Sequence, residues 1–225
     1  MTQPFQAKRP ICARCLRPLK DCICRWIAPT QHAVEVVILQ HPLEASNAKG
    51  SARLLHLSLP CSRLVIGETF SEQELQELLH GPFDSGNAVD TQARQAILLY
   101  PDTPQHKALG MAAPPVLEQM ALRDPTRLRL VVLDGTWRKS RKLLYLNPLL
   151  QKLPRLPLQD TPASQYRIRK NHRLGQLSTL EAVCYALMRL EGGTEKYLPL
   201  LAAFQGFVEQ QFGYCAVSRS DDRRS

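Results

Sequence analysis

Short β-branched apolar runs that alternate with helical stretches predict an α/β fold with a mostly parallel sheet. Three observations carry that prediction. The runs at 34–40, 62–67, 96–101 and 128–133 are rich in Val, Ile and Leu, as sheet strands are. Helix-start signals stand between and after them, including two Ser-x-x-Glu capping boxes, Ser71 with Glu74 and Ser178 with Glu181. The chain has 225 residues, 44% hydrophobic and 22% charged, which suits one sizeable core with a small appendage and excludes a disordered or fibrous class.

The appendage comes first, over 1–30. Residues 12–24 read "CARCLRPLKDCIC", a Cys-x-x-Cys pair, six residues and a Cys-x-Cys pair. The N-terminus has no apolar stretch of the secretory kind, so the chain reads as cytoplasmic, where clustered thiols stay reduced. Four soft donors at this spacing suit a tetrahedral zinc ion, and Cys12, Cys15, Cys22 and Cys24 are its expected ligands. Metal-free thiols and an iron–sulfur site are the alternatives. A closed four-cysteine shell leaves no open position, so a structural role is expected. "APTQHA", 28–33, links the module to a main domain over 31–216.

In that domain "VEVVILQ" (34–40) is a strand that runs through His41 into a helix, with Pro42 suited to its first turn and Glu44 on the favourable side of its dipole. The helix is expected to continue over Ala45, Ala48, Ala52 and Leu55, with Gly50 inside it where backbone approaches closely. A strand at 62–67, a capped helix at 71–81, a loop, a strand at 96–101, a short apolar helix at 115–122 and a strand at 128–133 follow. Helices over 179–190 and about 195–212 complete the core, and 217–225 is expected to fray.

Net charge is +9. Between Trp137 and Arg173 ten Lys or Arg face one acid, Asp160, so this segment alone carries the chain's whole excess. A single-sign stretch of this kind indicates a polyanionic partner; solvated helix faces are the bland alternative. No apolar run approaches the ~20 residues that span a bilayer, so no membrane is expected.

"LDGTWRKSRK" (133–142) concentrates the chemistry. Asp134 follows a strand directly, at the carboxyl edge where open α/β sheets place ligands. Thr136 can cap the next helix, and Arg138 and Lys139 then fall in its first turn, the wrong end for cations. Something anionic should offset that. A turn aspartate and a rim tryptophan are the plain readings of Asp134 and Trp137. Together with the cations they also make a proton acceptor, a face for a base and a holder for phosphates. "YRIRKNHRLGQLSTLEA" (166–182) adds a second basic run, a glycine loop and a helix N-terminus whose N–H groups could meet a carboxylate.

Asp134-Gly135-Thr136-Trp137, the cysteine cluster, "HPLE" (41–44) and "LSTLEA" (177–182) resemble the DTW-domain family of tRNA-uridine aminocarboxypropyltransferases. The family is related to an rRNA aminocarboxypropyltransferase of SPOUT-like fold, and the resemblance therefore implies a SPOUT-like domain with a C-terminal trefoil knot. It implies transfer of the 3-amino-3-carboxypropyl group of S-adenosylmethionine to N3 of a tRNA uridine, in the variable loop for bacterial members, with release of methylthioadenosine. Carried over by position, Asp134, Trp137 and Thr136 are the catalytic set, with Asp134 the base. Tyr100, Pro101, Leu133, Leu174, Gly175, Leu177, Ser178 and Thr179 are expected to hold S-adenosylmethionine. His41, Glu44, Lys49, Arg53, Arg138, Lys139, Arg141, Lys142, Arg167, Arg169, Lys170 and Arg173 are expected on the tRNA side, and a monomer is favoured. Where bacterial relatives often read Asn-Thr-Gly-Arg after the glutamate, this chain has "NAKGSAR". A methyltransferase of the same fold and a non-catalytic zinc-bearing RNA-binding module are the rival readings.

Overall fold

The computed structural model describes residues 10–83, 94–101, 113–118, 122–159, 161 and 177–221. Five parallel strands form one sheet in the order β2-β1-β4-β3-β5: β1 Glu35–Gln40, β2 Ser62–Ile66, β3 Gln95–Leu99, β4 Leu128–Asp134 and β5 Arg155–Leu156. β1 and β4 lie in the middle and are buried along their whole length, which is why they read as unbroken apolar runs. Successive side chains alternate between two cores. Val36, Ile38, Leu130 and Val132 face one that contains helices α2 (Ala52–Ser58), α6 (Thr179–Glu191) and α7 (Leu198–Asp221). Val37, Leu39, Val131 and Leu133 face the other, with α3 (Glu72–His80), α4 (Trp137–Leu146) and α5 (Pro148–Gln151). The result is a three-layer α/β/α arrangement.

Both capping boxes form, Ser71 with Glu74 at α3 and Ser178 with Glu181 at α6. Gly192 closes α6 at φ +65°, a left-handed position that glycine takes without a Cβ penalty.

The single helix expected from Pro42 through Leu55 is two. α1 is one turn, Pro42–Ala45, and α2 begins only at Ala52. Asn47 supplies the break: its side-chain oxygen accepts from Lys49 N at 3.0 Å, and its carbonyl accepts from Gly50 N at 2.9 Å. Such local bonds compete with the helical ladder. The expected helix at 115–122 does not form over 113–118, where Pro114 and Pro115 restrict the backbone before them, and 119–121 lie outside the described residues. α7 runs to Asp221, through part of the stretch expected to fray; no Gly or Pro interrupts 214–221.

The cysteine knuckle joins the main core, because Cys15 and Ile23 pack in the same cluster as the sheet. Trp26 packs against Gly206 of α7, where a Cβ would collide with the indole, and its Nε1 donates to Gln210. The following link is pinned as well: Thr30 N donates to Ser58 O, and Ala33 N and Val34 N donate to Glu191 Oε1. No described helix is long and apolar enough to cross a membrane.

Candidate active site

β4 ends on Asp134 and β1 on Gln40, and the parallel register sets the two opposite one another at the carboxyl edge of the sheet. The Gln40 amide donates to Asp134 Oδ2 at 2.8 Å, and the Thr179 hydroxyl, from the first residue of α6, donates to Oδ1 at 2.6 Å. The carboxylate is buried, with both oxygens held by donors from different elements. Its own carbonyl accepts from His41 N at 3.0 Å, so the turn after β1 is bonded to the end of β4.

Beside this carboxylate opens a cavity of about 280 Å³. Its walls are apolar, from Leu99, Val132, Leu156, Leu158 and Leu177, with the hydroxyl residues Ser140, Thr161, Ser178 and Thr179 interspersed. Mostly apolar walls with a few fixed polar groups are what small-molecule sites have, and the volume lies near the lower end of their range. Tyr100 is buried in the wall, and burial pushes its phenol up despite its hydrogen bond to Ser140. The Arg155 guanidinium lies 5.4 Å from the Tyr100 ring centre. Trp137 meets the same ring edge-on, 5.8 Å between centres, and remains 49% exposed. It is the aromatic at the rim that still offers surface to an incoming flat group.

Tyr100, Pro101, Trp137, Leu177, Ser178 and Thr179 therefore line one pocket beside Asp134. Leu133 does not: strand alternation turns it to the opposite face, and Val132 takes its place in the wall. Leu174 and Gly175 lie outside the described residues, as do Arg167, Arg169, Lys170 and Arg173. Thr136 occupies the N-cap position of α4, but its side chain makes no capping bond. At the start of α6 the amides are less open than expected, since Leu180 N donates to Ser51 Oγ at 3.3 Å and Glu181 N to Ser178 Oγ at 3.2 Å.

His41 and Glu44 are buried and serve the site from beneath its surface. His41 Nδ1 accepts from Leu43 N at 3.2 Å, so Nε2 carries the hydrogen it donates to Glu68 Oε1 at 2.6 Å. Glu44 accepts from Lys139 Nζ at 2.8 Å and from Asn47 Nδ2 at 2.9 Å. Glu68 also pairs with Lys142 Nζ at 2.8 Å; Lys142 and then His41 hold its carboxyl below the usual range. The anion expected to offset Lys139 at the wrong end of α4 is thus Glu44, within the protein. Arg138 and Arg141 are exposed on the same helix, while Lys49 and Arg53 are half-buried around the turn into α2. Gln40, Ser51, Glu68 and Ser140 were not anticipated from sequence; a polar Gln closing an apolar strand was the available signal for the first.

In the knuckle, the Sγ atoms of Cys12, Cys15, Cys22 and Cys24 all lie within 4.8 Å of one another. Cys12 to Cys24 is 3.6 Å and Cys15 to Cys22 is 3.7 Å. A tetrahedron with metal–sulfur bonds of about 2.3 Å has edges of roughly 3.8 Å, so the four sulfurs are spaced to hold one metal ion. The backbone N–H groups of Cys15 and Arg14 lower the Cys12 thiol to about 6, whereas burial raises Cys24 to about 12.

The DTW domain model matches residues 9–212. The chain is 34% identical over 217 residues to tRNA-uridine aminocarboxypropyltransferase 2 of Mus musculus, covering 94% of this chain and 67% of that protein. It is 30% identical over 220 residues to the Drosophila melanogaster protein of the same name, with 93% and 78% covered. To tRNA-uridine aminocarboxypropyltransferase A of Arabidopsis thaliana it is 26% identical over 234 residues, with 94% and 84% covered. No solved structure matches. A domain match over nearly all of the chain, with relatives aligned along the same length, shows that the chain belongs to the DTW-domain family.

Proposed function

We propose that this chain is a tRNA-uridine aminocarboxypropyltransferase, which transfers the 3-amino-3-carboxypropyl group of S-adenosylmethionine to N3 of a uridine in the variable loop of tRNA. The relatives' names give aminocarboxypropyl transfer to a tRNA uridine; the donor, the N3 target and the variable loop come from the family resemblance. The observation that carries it to this chain is the Asp134 carboxylate, fixed by Gln40 and Thr179 beside a pocket with Trp137 at its rim.

The pocket fits the donor in kind: apolar walls for the adenine and the hydrocarbon groups around the sulfonium, with hydroxyls of Ser178, Thr179 and Thr161 for its polar groups. When bound there, S-adenosylmethionine supplies a sulfonium-activated carbon and leaves as methylthioadenosine. Everything else falls to the protein. Uridine N3 is a poor nucleophile until it loses its proton, and Asp134 takes that proton. Two donors from separate elements keep the carboxylate in one orientation, so no reorganisation is needed at the moment of transfer. Trp137 stacks on the uridine or a neighbouring base, and Arg138 and Arg141 hold phosphates outside the pocket.

Cys12, Cys15, Cys22 and Cys24 hold a structural zinc ion, a role the sulfur spacing supports. The all-parallel strand order supports a SPOUT-like domain; the C-terminal trefoil knot is proposed from the family resemblance, and a crystal structure tests the threading.

Mass spectrometry of nucleosides and small products, after incubation with S-adenosylmethionine and unmodified tRNA, tests the function. Aminocarboxypropyluridine with methylthioadenosine is the expected pair. Methyluridine with S-adenosylhomocysteine would make the protein a methyltransferase, and no product with any tRNA would leave an RNA-binding module.

A further inference from the structure

Arg17 stands in the six-residue loop between the two cysteine pairs, and its guanidinium points out of the knuckle into the main domain. Nη1 donates to Ala48 O at 2.5 Å and Nη2 to Gly50 O at 3.0 Å, while the group lies 5.3 Å from the centre of the Phe207 ring on α7. Both carbonyls belong to the turn between α1 and α2. The next residue, Ser51, is buried, and its hydroxyl accepts the Leu180 amide at 3.3 Å. Leu180 directly follows Thr179, which donates to Asp134 at 2.6 Å. The other end of the same turn is held to α4, because Asn47 binds Glu44 and Glu44 binds Lys139. One short turn therefore connects the cysteine knuckle to the N-terminal ends of both helices that flank Asp134.

We propose that Arg17 is a positioning residue for the transfer reaction: from the metal knuckle it clamps the 46–51 turn, and through Ser51 and Leu180 it holds the Thr179 hydroxyl on Asp134. This deepens the function proposed above and rests on it. It gives the knuckle a task at the site while leaving the metal out of the chemistry. A Cβ at Gly50 in the same turn would stand 3.1 Å from Asn47 O, a tight contact.

Arg17→Met removes both donating nitrogens and keeps an apolar stem, Arg17→Lys keeps the charge on a single donating nitrogen, and Ser51→Ala removes the acceptor further along the path. All are made in the full chain with its metal, and melting temperature and bound zinc confirm folding. Arg17→Met should lower kcat about tenfold while KM for tRNA changes by no more than about twofold, the signature of misplacement rather than lost binding. Arg17→Lys should recover part of the loss. Combined with Ser51→Ala, the effect should fall short of the product of the two, because both variants cut one path. Hydrogen exchange at the Leu180 amide should speed up in Arg17→Met. Unchanged kcat and exchange would overturn the proposal. So would retained kcat with a raised KM for tRNA, which would make Arg17 a phosphate contact, or losses that multiply in full. If the unaltered protein gives no transfer product, the proposed function fails, and the exchange measurement still decides whether Arg17 governs the Leu180 amide.

Discussion

Asp134 owes its geometry to two residues that sequence treats as ordinary. Gln40 looks like the polar end of a strand, and Thr179 like the first residue of a capped helix. Their shared target appears only when β1 is set in register beside β4, 94 residues away, and α6 is brought to the sheet edge. Asp134 itself was legible because an apolar strand ends on it and Gly-Thr-Trp follows. Leu133 against Val132 could not be settled that way: both are apolar, and the parity of the strand decides which faces the pocket. Gln40→Leu and Thr179→Val each leave one carboxylate oxygen without its donor. A hydrogen bond to a charged group contributes about 1.5–3 kcal/mol, so each variant should lower single-turnover transfer by roughly tenfold or more. Filter binding should show tRNA affinity unchanged.

Helix ends carry most of what the elements add. The two capping boxes were readable, since each depends on residues a few positions apart. The break at 46–51 was not, because the alanine spacing over 45–55 also fits a helix, and only the Asn47 bonds override it. Gly192→Ala forces a Cβ into the left-handed region with no contact to gain, and should destabilise by about 1 kcal/mol in urea unfolding. Glu191, the last residue of α6, ties α6 to the start of β1. Burial pushes its carboxyl up, but Lys196, Val34 N–H, Tyr197 OH and Ala33 N–H outweigh that and hold it below the ordinary value. A carboxylate depressed on folding stabilises fully above its unfolded pKa and ceases to do so as pH falls through its folded one. The stability advantage over Glu191→Gln should therefore be present at neutral pH and shrink below about pH 4.5, the ordinary glutamate value. An advantage that persists at pH 3 would show that the ionised form is not what matters.

Across the molecule, the fold class followed from the alternation of strands and helices, whereas the order β2-β1-β4-β3-β5 required pairing information that no single strand holds. The charge excess was also plain in the sequence, but its meaning changed with the fold. Lys139 and Lys142 are paired to Glu44 and Glu68, while Arg138 and Arg141 face outward. Affinity for tRNA should fall steeply with salt, and replacing either arginine by Gln should reduce the slope by about one counterion. Lys139→Gln should instead act on turnover, by releasing Glu44 and the turn it holds. The claim on which the rest depends is that Asp134 takes the N3 proton. Single-turnover transfer with Asp134→Asn, in parallel with tRNA binding, tests it most directly. The rate should fall about 10²–10⁴-fold, the usual worth of a general base, with tRNA affinity kept. Transfer within a few-fold of the unaltered protein would contradict it and reduce Asp134 to a structural link between β4 and α6.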